Sequence, residues 1–147
     1  MTLAEFVQIL TGGIGSLGFA VLFNIRGKRV AAATVGGLLS WFLFVIFSYF
    51  TENEPLNYFF VAMLLTLYAE IMARVLKTPT TTFITTSLIP LIPGGSLYYT
   101  MAYAFSSDSE NFILKGTYTL QLASALALGI IVATTISRIS VKKTSQK

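Results

Sequence analysis

The chain has 147 residues, of which 54% are hydrophobic and only 11% charged, with a formal net charge of +4 and a mean hydropathy of +0.74; soluble domains carry roughly 25% charged residues. It has no cysteine and no histidine, which removes disulfides, thiolate nucleophiles, Cys/His zinc sites and imidazole general bases together, so no catalytic residue, cofactor or metal ligand set is expected. Its basic residues lie between apolar stretches and not on one solvated face, a pattern that fits a lipid bilayer and not nucleic acid.

A membrane-crossing helix needs about 20 mostly apolar residues. Five stretches qualify, at 3–23, 30–50, 58–76, 83–105 and 118–136, so the expected fold is all-α: one polytopic transmembrane domain over 1–147. The first stretch carries Glu5 near its start and lacks a basic leader region or an obvious cleavage site, so it reads as a retained helix and not a signal peptide. Its small residues Gly12, Gly13, Gly15, Ser16 and Gly18, with Ala31 to Ala33, Gly36 and Gly37 in the second stretch, let helix backbones approach closely. Asn24 stands at the end of the first helix as a C-cap or polar contact. The aromatic run Trp41, Phe42, Phe44, Phe47, Tyr49 and Phe50 closes the second helix in the manner of interfacial anchors, with no substrate role assigned to it.

The third stretch contains Glu70 and Arg74, four residues apart and so on one helix face, where they can pair. Glu70 lies about 18 Å along the helix from Tyr58 at 1.5 Å per residue, inside the hydrocarbon. A charge there costs on the order of 3 kcal/mol and ordinarily faces protein or a hydrated cavity. The plainer reading is that Arg74 snorkels to the interface and Glu70 only pairs with it. The fourth stretch holds Pro90, Pro93, Gly94 and Gly95 near its centre, followed by Tyr98. Each proline removes a backbone donor and clashes with the preceding turn, so the helix is expected to break there; carbonyls left without partners need protein or water inside the membrane. Transporters use such broken helices to present backbone groups to substrate, although a proline kink alone is also common. Ser/Thr clusters at 80–82, 85–87 and 134–137 either line a polar path or bond to their own helices.

Lys and Arg near helix ends favour the cytoplasm. Arg26, Lys28 and Arg29 follow the first helix, Arg74 and Lys77 the third, and Arg138, Lys142, Lys143 and Lys147 the fifth, whereas Glu52 and Glu54, then Asp108 and Glu110, mark the second and fourth connections with Lys115 as the exception. The expected topology has the N-terminus outside and the C-terminus in the cytoplasm of a cell (inner or plasma) membrane. It is consistent only with an odd number of helices.

Phe19-Ala20-Val21-Leu22-Phe23-Asn24, Ala69-Glu70-Ile71-Met72-Ala73-Arg74, Lys77-Thr78-Pro79 and above all Ile89-Pro90-Leu91-Ile92-Pro93-Gly94-Gly95-Ser96-Leu97-Tyr98 resemble the threonine/serine exporter family, in particular its split-type small subunit. The likeness runs from about Gly15 to Ile136. It implies a secondary transporter that exports small carboxylate metabolites, such as threonine, serine or a dicarboxylate like succinate, driven by the proton gradient. It also implies a partner, either a larger five-helix subunit with a soluble extension or a second copy of the chain. Two five-helix halves insert in opposite directions and enclose a site near the midplane. On this reading Arg74 attracts a substrate carboxylate, Glu70 is the candidate proton carrier, and Pro90, Pro93, Gly94, Gly95 and Tyr98 line the pathway. The rival from another class is a non-transporting accessory subunit that stabilises a larger membrane protein, for which the glycine-rich faces suffice.

Overall fold

The computed structural model describes residues 2–144, with side-chain surroundings through 139. Six α-helices follow one another: α1 (Leu3–Leu22), α2 (Lys28–Phe50), α3 (Glu54–Val75), α4 (Thr80–Leu88), α5 (Gly94–Phe105) and α6 (Ser109–Thr144), with a 3-10 turn at Ile89–Leu91 between α4 and α5. Four of these, α1, α2, α3 and residues Ser109–Ile139 of α6, are long and apolar enough to cross a membrane. The stretch expected at 83–105 is occupied by α4, the 3-10 turn and α5, each shorter than the roughly 20 residues of a crossing.

Local chemistry sets the helix starts. Thr2 and Glu5 form a reciprocal capping box at the start of α1, with Thr2 N–H donating to Glu5 Oε2 at 2.7 Å and Glu5 N–H to Thr2 Oγ1 at 3.3 Å. Asn53 caps α3, its Oδ1 accepting from Leu56 N–H, and Pro55 occupies the first turn, where its missing N–H is no loss. This starts α3 at Glu54, ahead of the expected 58. Asp108 caps α6 by accepting from Asn111 N–H at 3.2 Å and from its side-chain amide at 2.8 Å. Residues 109–117, expected as a connection, are therefore the first turns of α6; the acidic cluster there marks a helix start.

Three helices share one way of stopping. Asn24, Lys77 and Ser107 each take a left-handed backbone, φ 56, 46 and 58, just past α1, α3 and α5. In each case the next N–H reaches back to the helix, as Ile25 to Ala20 O, Thr78 to Ala73 O and Asp108 to Tyr103 O, the Schellman pattern. Asn24 thus stands one residue beyond the C-cap.

The helices run up and down, so the basic residues Arg26, Lys28, Arg29, Arg74, Lys77 and Arg138 collect at one end, and Glu5, Glu52, Glu54, Asp108 and Glu110 at the other. We call these the basic and acidic ends. Lys142 and Lys143 side chains, and Lys147, lie outside the described residues. The tightest pairs are α3 with α6, which run parallel, and α1 with α2, which run antiparallel, while α4 packs on α2 and α3. Gly129 of α6 permits the first contact: a Cβ there would lie 2.5 Å from the backbone oxygen of Phe59. Val61, Leu65 and Leu122 form the centre of the core together with Leu91, which the 3-10 turn inserts with no exposed surface. α5 packs on α6 and buries none of its residues.

The aromatic run of α2 is shared between neighbours and surface. Trp41 donates from Nε1 to Gln8 Oε1 of α1 at 3.2 Å, and Phe44 and Phe47 meet Tyr58 and Phe60 of α3. Tyr49 reaches Glu5 of α1 while staying exposed, and Phe50 is exposed.

Candidate functional site

The prolines decide what the centre of α4 must do. In an α-helix the carbonyl of Thr86 would accept from the N–H of residue 90, and that of Ile89 from residue 93; Pro90 and Pro93 have no such hydrogen. Ile92 N–H takes over at Ile89 O, at 3.2 Å. Thr86 O accepts instead from the Ser16 hydroxyl of α1, at 2.8 Å in fully buried surroundings. Ser16 reaches it only because Gly37 of α2 lacks a side chain: a Cβ there would stand 2.1 Å from Ser16 Oγ. Gly36 makes the same room for Ser87, whose Oγ would lie 1.9 Å from an added Cβ. The seam where α1, α2 and α4 meet is thus a strip of glycines and hydroxyls. Ser40 and Ser87 are fully buried in the bundle, and among the described residues their hydroxyl oxygens have no hydrogen-bond partner.

Clefts open toward this seam from both ends. At the acidic end, Glu5, Gln8, Trp41, Phe44, Ser48 and Tyr49 line a cleft of about 250 Å³ between α1 and α2. Tyr49 OH donates to the Glu5 carboxylate at 2.8 and 2.9 Å. A neighbouring cleft of about 210 Å³ shares Gln8 and Trp41 and continues past Thr11 and Gly12 to Pro90. At the basic end, Thr81, Thr82 and Thr85 of α4 face Phe23 and Ile25 across a third cleft. Between them the Ser16, Gly37 and Thr86 contact is closed.

The expected site residues fall in three places. Glu70 and Arg74 pair at 3.5 Å on the face of α3 turned to α6, with Glu70 18% and Arg74 51% exposed; Arg74 also donates to the buried Ser137 hydroxyl. Both contacts use Nη2, which leaves the rest of the guanidinium fork open to an anion. Pro90 stands in the α1/α2 cleft. Gly94, Gly95 and Tyr98 are exposed at the start of α5, with open space where glycine side chains would be, and Tyr98 stacks edge-on against Tyr99. Pro93 precedes Gly94 at the N-cap.

Sequence reasoning gave no role to Gln8 or Ser40 and took Trp41 as one of the interfacial anchors. The available signal was the spacing of Glu5 and Gln8, three residues apart and hence on one helix face, but their partners on α2 become visible only when α1 and α2 are paired.

No curated protein and no solved structure matches the chain. The family described as "Threonine/Serine exporter, ThrE" matches residues 8–136, a span that takes in the seam, the interrupted segment and the Glu70/Arg74 pair. The chain is accordingly a multi-pass membrane protein, and it belongs to the threonine/serine exporter family of transporters.

Proposed function

We propose that this chain is one subunit of a secondary transporter that exports small carboxylate metabolites, threonine and serine or a dicarboxylate such as succinate, with proton coupling and together with a larger partner subunit. The family match over residues 8–136 carries this reading. In it, α4, the 3-10 turn and α5 act together as a fifth, interrupted crossing, which puts the N-terminus outside and the C-terminus in the cytoplasm by the distribution of Lys and Arg. Clefts on both sides of a closed seam fit a pathway that opens alternately, with Ser16, Gly37 and Thr86 as the closed point. Arg74 receives the substrate carboxylate and Glu70 carries the proton. The open N-terminus of α5, bare of side chains at Gly94 and Gly95, and Tyr98 beyond it, meet the substrate or the partner. Support for a partner is the exposure of α5, which among the described residues packs chiefly on α6 and buries none of its own.

The test is efflux of labelled threonine, serine and succinate from proteoliposomes holding this chain, a larger family member encoded beside it, or both, with and without a pH gradient. Gradient-dependent efflux is expected only with both chains. Full efflux from the larger chain alone would make this one an accessory subunit. Within the pair, Glu70→Gln is expected to abolish gradient coupling while assembly persists; full retention of coupled efflux would remove Glu70 from the proton path.

A further inference from the structure

We propose that the acidic-end cleft between α1 and α2 is a binding site for a primary ammonium group, with Glu5 as its counter-ion. The proposal rests on the exporter reading for its place in transport, and it adds to that reading which end of an amino-acid cargo is recognised there.

The lining combines a carboxylate with aromatic faces. Glu5 is partly buried and held in place by two donors: Tyr49 OH, which reaches both oxygens, and Thr2 N–H. Two donors leave part of the acceptor capacity of a carboxylate unused. Trp41 and Phe44 stand side by side, ring centroids 5.4 Å apart, and Tyr49 completes the wall. Among the described residues no lysine or arginine lines the cleft. A carboxylate flanked by aromatic rings attracts a cation through charge and through the ring quadrupoles, and the Gln8 amide and Ser48 hydroxyl supply acceptors for the remaining N–H groups. The volume of about 250 Å³ equals on the order of eight water molecules, the scale of an amino acid and not of a large ligand.

Its position gives the site a use. Gln8 and Trp41, bonded to each other, form the wall shared with the second cleft, which ends on Pro90. An amine held at Glu5 sits at the mouth of the way to the interrupted segment. A dicarboxylate lacks an ammonium group and finds a repelling charge there, so the cleft selects amino acids over dicarboxylates.

Trp41 is the only tryptophan in the chain, so intrinsic tryptophan fluorescence of the full chain in lipid vesicles reports on this cleft and on the adjoining one whose wall it shares. Three probes separate the ends of the cargo: threonine, threoninol (amine without carboxylate) and 3-hydroxybutyrate (carboxylate without amine). Threonine and threoninol are expected to shift Trp41 emission saturably, and 3-hydroxybutyrate to leave it unchanged. Glu5→Gln is expected to raise the half-saturating threoninol concentration about tenfold or more, and Tyr49→Phe, which keeps the carboxylate and the ring, to raise it by less. A silent Trp41 with threoninol, an equal response to 3-hydroxybutyrate, or an undiminished response in Glu5→Gln with native emission would each overturn the site. Threonine efflux alongside a silent Trp41 would sink the site and leave the exporter reading standing; a saturable, Glu5-dependent response without efflux in any subunit combination would do the reverse.

Discussion

Pro90 takes a donor away from Thr86, and Ser16, on another helix, replaces it. Removing that hydroxyl leaves a carbonyl unpaired where no bulk water reaches, which costs about 1–3 kcal/mol. Ser16→Ala is therefore expected to lower the unfolding midpoint in detergent by that equivalent, and an unchanged midpoint would show that Thr86 finds another donor. The glycines around it divide sharply. A Cβ at Gly37 meets Ser16 and, at 2.9 Å, the backbone oxygen of Gly12, whereas Gly15 and Gly18 face open space. Gly37→Ala should destabilise by about 1–3 kcal/mol through overpacking, while Gly15→Ala should be neutral or gain up to about 1 kcal/mol of helix propensity; thermal unfolding of the two variants side by side checks the contrast. The sequence shows five small residues in α1 as one class. It does not show which of them face α2, because that depends on the rotation of α1 about its axis, fixed by the pairing with Leu38, Gly37 and Trp41.

At the scale of elements, the apolar runs were legible and the helix ends were not. Length and hydropathy locate α1 and α2 to within a few residues, since hydrocarbon thickness dictates both. The start of α6 escaped this reasoning because its cap, Asp108, and its first turn, with Glu110 and Asn111, are polar residues that lower hydropathy while favouring a helix N-terminus. Asp108 also supplies a pH dependence. Its hydrogen bonds from the Asn111 side chain and backbone hold its carboxyl below the ordinary carboxylate range. A depressed value in the folded state means the cap contributes fully at pH values above the ordinary range and is lost as pH falls through the depressed one. Amide exchange at Asn111 should accelerate at acid pH, once corrected for the intrinsic rate, and in Asp108→Ala it should be fast and insensitive to pH; equal protection in the variant would deny the cap any role. In the fourth stretch the chain forms α4, the 3-10 turn at Ile89–Leu91 and α5. That Leu91 enters the core, and that the orphaned carbonyl is served by α1, depends on contacts between distant parts of the chain.

For the whole molecule, charge is the organising observation. Apart from Lys115, beside Glu54, and Glu70, paired with Arg74, the described basic residues gather at one end and the carboxylates at the other, and the family match covers nearly the full length. The Glu70/Arg74 pairing was legible from spacing, yet the pair faces α6, apart from the α1/α2/α4 seam. A pathway through this one subunit would have to join places that the bundle keeps separate, and the proposed second half would relieve it of that. All of it depends on α4, the 3-10 turn and α5 making one crossing between them. The chain has no native cysteine, so single cysteines placed at Arg26, Glu52 and Ser106 can be probed in intact cells with a membrane-impermeant maleimide. Glu52→Cys and Ser106→Cys are predicted to label from outside, and Arg26→Cys only after permeabilisation. Ser106→Cys behaving like Arg26→Cys would mean that the interrupted segment turns back to the side it came from, and would contradict the five-crossing architecture.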